Sequence, residues 1–234
     1  RNQLENTLMS VDNDEAREQA GKAVAEADQL LATFNALLRI ARLETRGNTA
    51  DMQQVPLGEL VSDACELYEA LAEDKEQQFE QSLEDHVVIE GDRDLLFQMV
   101  SNLMDNAIKA TPEQGEIRVN VRKDGNDAIF EVGDSGIGIP DDEKDQVFQR
   151  FYRVGKSRSL PGNGLGLSLV SAVAEIHQGV ISLSDHHPGE DYPGLMVTIR
   201  LPAYSPNRKR LKDTQTISAS EAGEQSSPGE LRGV

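Results

Sequence analysis

Three short polar segments in a fixed order hold the residues best suited to chemistry: Asn102-Leu-Met-Asp-Asn106-Ala-Ile-Lys109, Asp134-Ser-Gly136-Ile-Gly138 and Gly162-Asn-Gly164-Leu165-Gly166-Leu167. In the first, Asn102 and Asn106 are four residues apart and share one helical face, with Lys109 a turn further on. The amide oxygen of Asn106 suits Mg²⁺, a hard cation that takes oxygen ligands and keeps waters and substrate phosphates around it. Lys109 can meet a phosphate as a point charge. The second segment offers a carboxylate before a glycine turn, and Asp134 can accept a hydrogen bond from an exocyclic amine, which favours adenine over guanine. The third is a glycine loop that opens a helix, where free backbone N–H groups and the helix dipole attract phosphate. Taken singly, these are a turn, a helix surface and a loop. Together, in order, they imply a site for ATP.

The elements around them have the pattern that such a site needs. Asp92 reads as the cap of a helix that carries the Asn pair to about Ala110 and ends before Pro112. Ile117, Val119 and Val121 alternate as a strand, residues 124–127 turn the chain, and Ile129 to Val132 returns to deliver Asp134 at a strand end. Pro140 is predicted to start a brief helix ending near Phe151. A further helix runs from Leu165 to His177 and stops at Gly179, a C-cap signal. Upstream, Gln54 to Leu57 reads as a strand, and Glu59 to Ala72 as a helix with Leu60, Val61, Ala64, Leu67, Tyr68 and Leu71 inward. Strands around Gln78 to Ser82, Val87 to Glu90, Val180 to Ser184 and Leu195 to Leu201 complete an α+β fold. It is a two-layer α/β sandwich with helices on one face of a mixed sheet.

Composition bounds the rest. A chain of 234 residues, 38% hydrophobic, can bury a proper core, and its net charge of −18 argues against a nucleic-acid surface. A polyanionic nucleotide then needs local cations, and Lys109, Arg150, Arg153, Lys156 and Arg158 are the candidates. No apolar run approaches the ~18 residues that cross a bilayer, and no signal peptide is present. The start at Arg1 suggests a fragment of something longer. Cys65, the single cysteine, excludes an internal disulfide and reads as a core thiol.

Residues 1–47 are expected to be helical and separate from the nucleotide domain. Ala20, Ala27, Phe34 and Ala41 fall on one heptad register, and Ala23, Leu30 and Leu37 on the next. Leu4, Leu8 and Val11 precede a break at residues 12–14, which suggests a helical hairpin whose first arm is short; a simple dimerising coiled coil is the alternative. The expected organisation is therefore a partial hairpin over 1–47, a linker over 48–53, an ATP-binding domain over 54–202 and a disordered tail over 203–234.

On these residues the chain resembles the catalytic ATP-binding domain of sensor histidine kinases, within the gyrase, chaperone, kinase and mismatch-repair ATPase superfamily. Asn102 to Lys109 resembles its N box, Asp134 to Gly138 its G1 box, Phe148 to Arg153 its F box and Gly162 to Leu167 its G2 box. Residues 37–44 are similar to the close of the family's dimerisation and phosphoacceptor hairpin. The resemblance implies nucleotide contacts from Asn102, Asn106, Lys109, Asp134, Gly136, Gly138, Tyr152, Arg153, Gly162, Gly164, Leu165, Gly166, Leu167 and Thr198. It implies Mg²⁺ on Asn106, catalytic roles for Asn106, Lys109 and Arg153, and a mobile lid between Asp141 and Pro161. Hydrolysing relatives carry a general-base carboxylate where this chain has Asn102, which tilts the reading towards phosphoryl transfer. Asp105 is at most a weak auxiliary base.

The family's acceptor histidine, with its following acidic residue and Arg-Thr-Pro signature, is absent from residues 1–11. None of His86, His177, His186 and His187 replaces it, and the pair His186–His187 lacks further metal ligands at suitable spacing. The expected protein is the cytoplasmic kinase end of a bacterial inner-membrane two-component sensor. It would dimerise through the hairpin and relay phosphate to a response-regulator receiver domain, with the acceptor just upstream of Arg1. Two other readings stay open: a non-catalytic dimerising ATP-binding module, and a serine kinase of the anti-sigma type. Ala110, where relatives often have an aromatic residue, is a further departure.

Overall fold

In the computed structural model, residues 51–155 and 163–206 are described. The predicted hairpin over 1–47, Gly162, Lys156, Arg158 and the tail from residue 207 lie outside them. In chain order the elements are β1 (Gln53–Pro56), α1 (Leu57–Glu73), β2 (Gln78–Leu83), β3 (Val88–Gly91), α2 (Arg93–Ala110), β4 (Glu116–Asp124), β5 (Asp127–Asp134), α3 (Gly166–Ile176), β6 (Val180–Ser184) and β7 (Leu195–Pro202). The main sheet has the order β2-β4-β5-β7-β6, and β1 and β3 form a separate antiparallel pair. β2 and β4 are parallel while the other neighbours are antiparallel, so the sheet is mixed as expected.

Strand alternation sends two sets of residues to opposite faces. Ile117, Val119 and Val121 of β4, Phe130 and Val132 of β5, and Val197, Ile199 and Leu201 of β7 are buried in one core with Leu60 and Ala64 of α1, Met99 and Leu103 of α2, and Leu169 and Val173 of α3. The other face is polar. There Glu131 accepts from Asn120 Nδ2 at 2.9 Å and from Arg122, and Arg200 bridges Asp124 and Asp127. One covered face and one solvated face is the ordinary economy of an antiparallel sheet.

Several expectations need correction. The segment from Pro140 to Phe151 is a run of turns, not a helix: Glu143, Gln146 and Gln149 N–H bond the carbonyls three residues back, Pro140, Glu143 and Gln146. Bonds three residues back close successive tight turns, not the four-residue ladder of an α-helix. On α1 the inward stripe is Leu57, Leu60, Val61, Ala64, Cys65 and Ala72, with Tyr68 packed at its edge. Leu67 and Leu71 lie off that stripe and are 61% and 50% exposed. Leu57 opens α1 instead of closing β1; it is fully buried, and its N–H donates to Val87 O. Gln53 belongs to β1 and not to a linker. The domain also runs past Pro202, since Ala203 bridges Ile89 and Tyr204 N–H donates to Val88 O. Cys65 is the expected core thiol, with burial pushing its pKa up to about 12.

His177 locks the helix layer together. It ends α3, Nδ1–H donates to Val173 O at 2.7 Å, and Nε2 accepts the Asp92 N–H at 3.0 Å. Asp92 in turn caps α2 through Asp94 and Leu95 N–H. His177 is thus neutral with both nitrogens committed, and burial lowers its pKa. In the unfolded chain it protonates near pH ~6.5. Acid therefore favours the unfolded state: this stabilisation is fully present above about pH 6.5 and is lost as pH falls towards the depressed folded value. Urea unfolding between pH 7.5 and 5 is expected to show this decline, and His177→Gln to be less stable at pH 7.5 with a shallower decline. An unchanged slope in the variant would remove His177 as the cause.

Candidate functional site

The site is assembled where α2, the end of β5 and the start of α3 meet. A cleft of about 240 Å³ there is lined by Asn102, Asn106 and Lys109 of α2, Asp134, Gly138, Tyr152 and Arg153, and Gly164, Gly166 and Leu167 at the head of α3. Voids of that size are not packing defects. α2 contributes its amide face because Leu96, Met99, Val100 and Met104 are turned into the core, with Leu103 and Ala107 at the edge between core and cleft.

The decisive approach is between that amide face and α3. A Cβ built on Gly166 would stand 3.3 Å from Asn106 Nδ2, 3.4 Å from Asn106 Oδ1 and 3.5 Å from Asn102 Oδ1. Asn102 Nδ2 donates to Gln98 O at 2.8 Å, which turns its oxygen to the cleft. Leu165 gives α3 no side-chain cap, and no acidic residue occupies the first turn. Two amide oxygens and a helix N-terminus with unpaired N–H donors thus converge, a donor set that fits a hard cation beside an anion. Lys109 pairs with Asp105 one turn back, on the rim of the same cleft.

Asp134 closes the other end. It is 5% exposed, and its Oδ1 accepts the Gly136 N–H at 2.9 Å. Burial pushes its pKa up to about 6, opposed by hydrogen bonds from Gly136 and Leu195 N–H and by the charge of His187. A largely ionised carboxylate in an apolar wall is a strong acceptor, and Val132, Ile137, Ile139, Leu195 and Val197 supply that wall. Gly136 is needed for close approach: a Cβ would meet Ala110 O at 2.5 Å. Gly164 has φ +68°, and its carbonyl accepts the Phe151 N–H, tying the turn segment to α3. Tyr152 donates its hydroxyl to Glu143 at 2.6 Å.

Of the predicted contacts, Thr198 falls elsewhere, and Gly136 and Leu165 do not line the cleft. Thr198 is on the polar face of the sheet opposite the cleft, next to Glu131, and the neighbouring Val197 faces the site instead. The physical reason is the period of two: a strand residue adjacent to an inward one points outward. The Leu165 side chain is core, 1% exposed, which leaves its backbone for the donor role expected of it. Arg150 does not line the cleft, and Gly162 is outside the described residues. Sequence reasoning missed most of the apolar lining, Val132, Ile137, Ile139, Val147, Leu195 and Val197 among it, and also Val154 and Asn163. Strand alternation beside Asp134 would have found Val132 and Val197.

A profile of the family described as "Histidine kinase-, DNA gyrase B-, and HSP90-like ATPase" matches residues 91–205. A solved chain titled "Mycobacterial sensor histidine kinase MprB" superposes with TM-score 0.61 at 32% identity, covering 64% of this chain and 98% of that one. The chain belongs to the sensor histidine kinase family. The sensor-like histidine kinase SenX3 of Mycolicibacterium smegmatis is 34% identical over 195 residues, 82% of this chain and 50% of its own length. A solved full-length ShkA in complex with AMPPNP aligns with TM-score 0.67 at 25% identity, over 85% of this chain and 41% of that one. The chain thus spans about half or less of the length of the curated relatives it matches. What the described residues hold is the ATPase-type catalytic domain of a histidine kinase. In this kinase domain Gly136→Ala is expected to cost roughly 1–3 kcal/mol by overpacking against Ala110. Gly155→Ala, where a Cβ meets nothing within 4 Å among the described residues, should fall within about 0.5 kcal/mol of the parent. Chemical denaturation compares them, and equal midpoints would contradict the close approach.

Proposed function

We propose that residues 53–204 bind Mg-ATP in this cleft and transfer its γ-phosphoryl group to a histidine that is not among the chain's four. The observation that carries the proposal is the convergence of Asn102 and Asn106 on Gly166 at the head of α3. Asp134 takes the adenine amine, the free N–H groups of α3 face the phosphates, and Lys109 and Arg153 approach them from the rim. Asn106, with Asn102 beside it, holds Mg²⁺, which when bound neutralises phosphate charge. For ATP to be met by Lys109, the ammonium exchanges Asp105 for a phosphate oxygen.

In the transfer, an imidazole nitrogen forms a bond to the γ-phosphorus as the bond to the β–γ bridging oxygen breaks. ADP leaves with that electron pair, and the ring proton passes to a carboxylate beside the acceptor. No carboxylate occupies position 102 to activate a water, which supports transfer over hydrolysis. None of the described histidines lines the cleft. His177 is buried with both nitrogens bonded, and His186 lies behind Asp134. In this reading residues 1–47 dimerise, the acceptor lies on the hairpin's first arm, and phosphate passes on to a response-regulator aspartate. The domain would then be the cytoplasmic end of a membrane sensor. Among the described residues no helix is long and apolar enough to cross a membrane.

Incubation with γ-labelled ATP and Mg²⁺ tests this. The present chain is expected to bind nucleotide without acid-labile label, and the chain extended upstream through the hairpin to become labelled. Asn106→Ala in the extended chain should lower labelling by at least about a hundredfold. Acid-labile label on the present chain, or none on the extended chain with nucleotide bound, would overturn the proposal.

A further inference from the structure

The polar face of the sheet carries a second constellation, back to back with the cleft. Glu116 opens β4, and His186 and His187 follow β6 in the connection to β7. Their ligand atoms all lie within 4.8 Å of one another. His187 Nε2 is 3.4 Å from Glu116 Oε1 and His186 Nε2 is 3.9 Å from it, with the two rings stacked at a 16° interplanar angle. The sequence offered only the histidine pair; the fold adds the carboxylate from the far end of the sheet.

We propose that Glu116, His186 and His187 form a binding site for a divalent cation of the zinc class. Two imidazoles and one carboxylate favour a borderline metal over Mg²⁺ or Ca²⁺. Donors on one tetrahedral zinc, with bonds of roughly 2.0–2.1 Å, stand about 3.3 Å apart, so the ligand atoms must close in from spacings of up to 4.8 Å, and the partly exposed His187 ring must turn out of its stack on His186 to aim its lone pair at the same ion. Three further features prepare the site. His186 Nδ1 faces Asp134 O at 3.2 Å and donates to it, which fixes the tautomer and leaves Nε2 as the basic nitrogen aimed at Glu116. The side chain of His186 is 6% exposed, so its ring is held in place by packing. Glu116 Oε1 is buried and accepts no hydrogen bond, its cationic neighbour being Arg118 Nε at 3.2 Å, so a bound ion would replace that ion pair.

The ligands are also held in place. Glu116 N–H donates to Ser135 Oγ at 2.8 Å, and its carbonyl accepts the Ser135 N–H. The connection bearing the histidines is pinned by His187 N–H on Pro193 O at 2.7 Å and Gly194 N–H on Gly136 O. Arg118, half exposed, lies 3.2 Å from Oε1 but donates to Glu116 Oε2 and also pairs with Glu80. It keeps those two contacts while Oε1 turns to the metal. A water completes the coordination. Because the site ties the start of β4 to the β6–β7 connection, occupancy favours the folded state.

The test is Zn²⁺ titration of the untagged, nucleotide-free chain against a competing chromophoric chelator, with Co²⁺ absorption as a second readout. One tight equivalent and the visible bands of four-coordinate Co²⁺ are expected. Glu116→Gln and His187→Ala should each weaken zinc by at least about tenfold, while His86→Ala leaves it unchanged. Each variant's metal-free unfolding midpoint reports its fold. His187→Asn, at a partly exposed ring, serves if His187→Ala does not fold. Zinc affinity equal in the parent and the folded Glu116→Gln and His187 variants overturns the proposal, as does no uptake by the parent below millimolar zinc.

Discussion

The arrangement turns on one close approach: the N-terminus of α3 is set against the amide face of α2, with Gly166 in the gap. A helix N-terminus alone attracts any anion, and an Asn pair alone is an ordinary helix surface. Brought within van der Waals distance, they become a place where a polyanion and its counter-cation are both stabilised. Much of the surrounding structure serves this contact. His177 joins the end of α3 to the cap of α2, the core side chains fix the rotation of α2, and Gly164 lets the chain turn into α3.

Asp134 is the second fixed point, and its setting explains its chemistry. It lies on the core-side face at the end of β5, the central strand of the main sheet, so that burial raises its pKa while two backbone N–H groups restrain the rise. The balance leaves an anion with little solvent to compete for its free oxygen. The same strand end is buttressed from behind by His186, whose ring occupies the space over Gly133. The cleft and the Glu116–His186–His187 cluster therefore share a backbone segment while facing opposite sides of the sheet.

Much of this was legible in the sequence, for identifiable reasons. The Asn102–Asn106–Lys109 face, the Asp92 cap, the Asp134 strand end and the glycine head of α3 follow from local periodicity and capping, which need no tertiary context. What was misread depended on competition between local options or on partners remote in sequence. The segment after Pro140 bonds three residues back and forms turns where a helix was expected. Thr198 was placed in the site by resemblance although it is one residue out of phase with the inward face. Leu67 and Leu71 match a helical period yet fall off the stripe that packs. Glu116 could not be joined to the histidine pair without knowing that β4 and the β6–β7 connection meet beside Ser135.

The account rests on nucleotide lying between Asp134 and the α2–α3 contact. Heteronuclear NMR of the isotope-labelled chain, titrated with ATP and Mg²⁺, addresses that placement directly. The largest shifts are expected at the Asn102 and Asn106 side-chain amides and at the Gly136, Gly164 and Gly166 backbone, with Thr198 and Ser182 on the opposite face nearly still. Saturating nucleotide that leaves the two amides unmoved, or that perturbs chiefly the Glu131–Thr198 face, would contradict it.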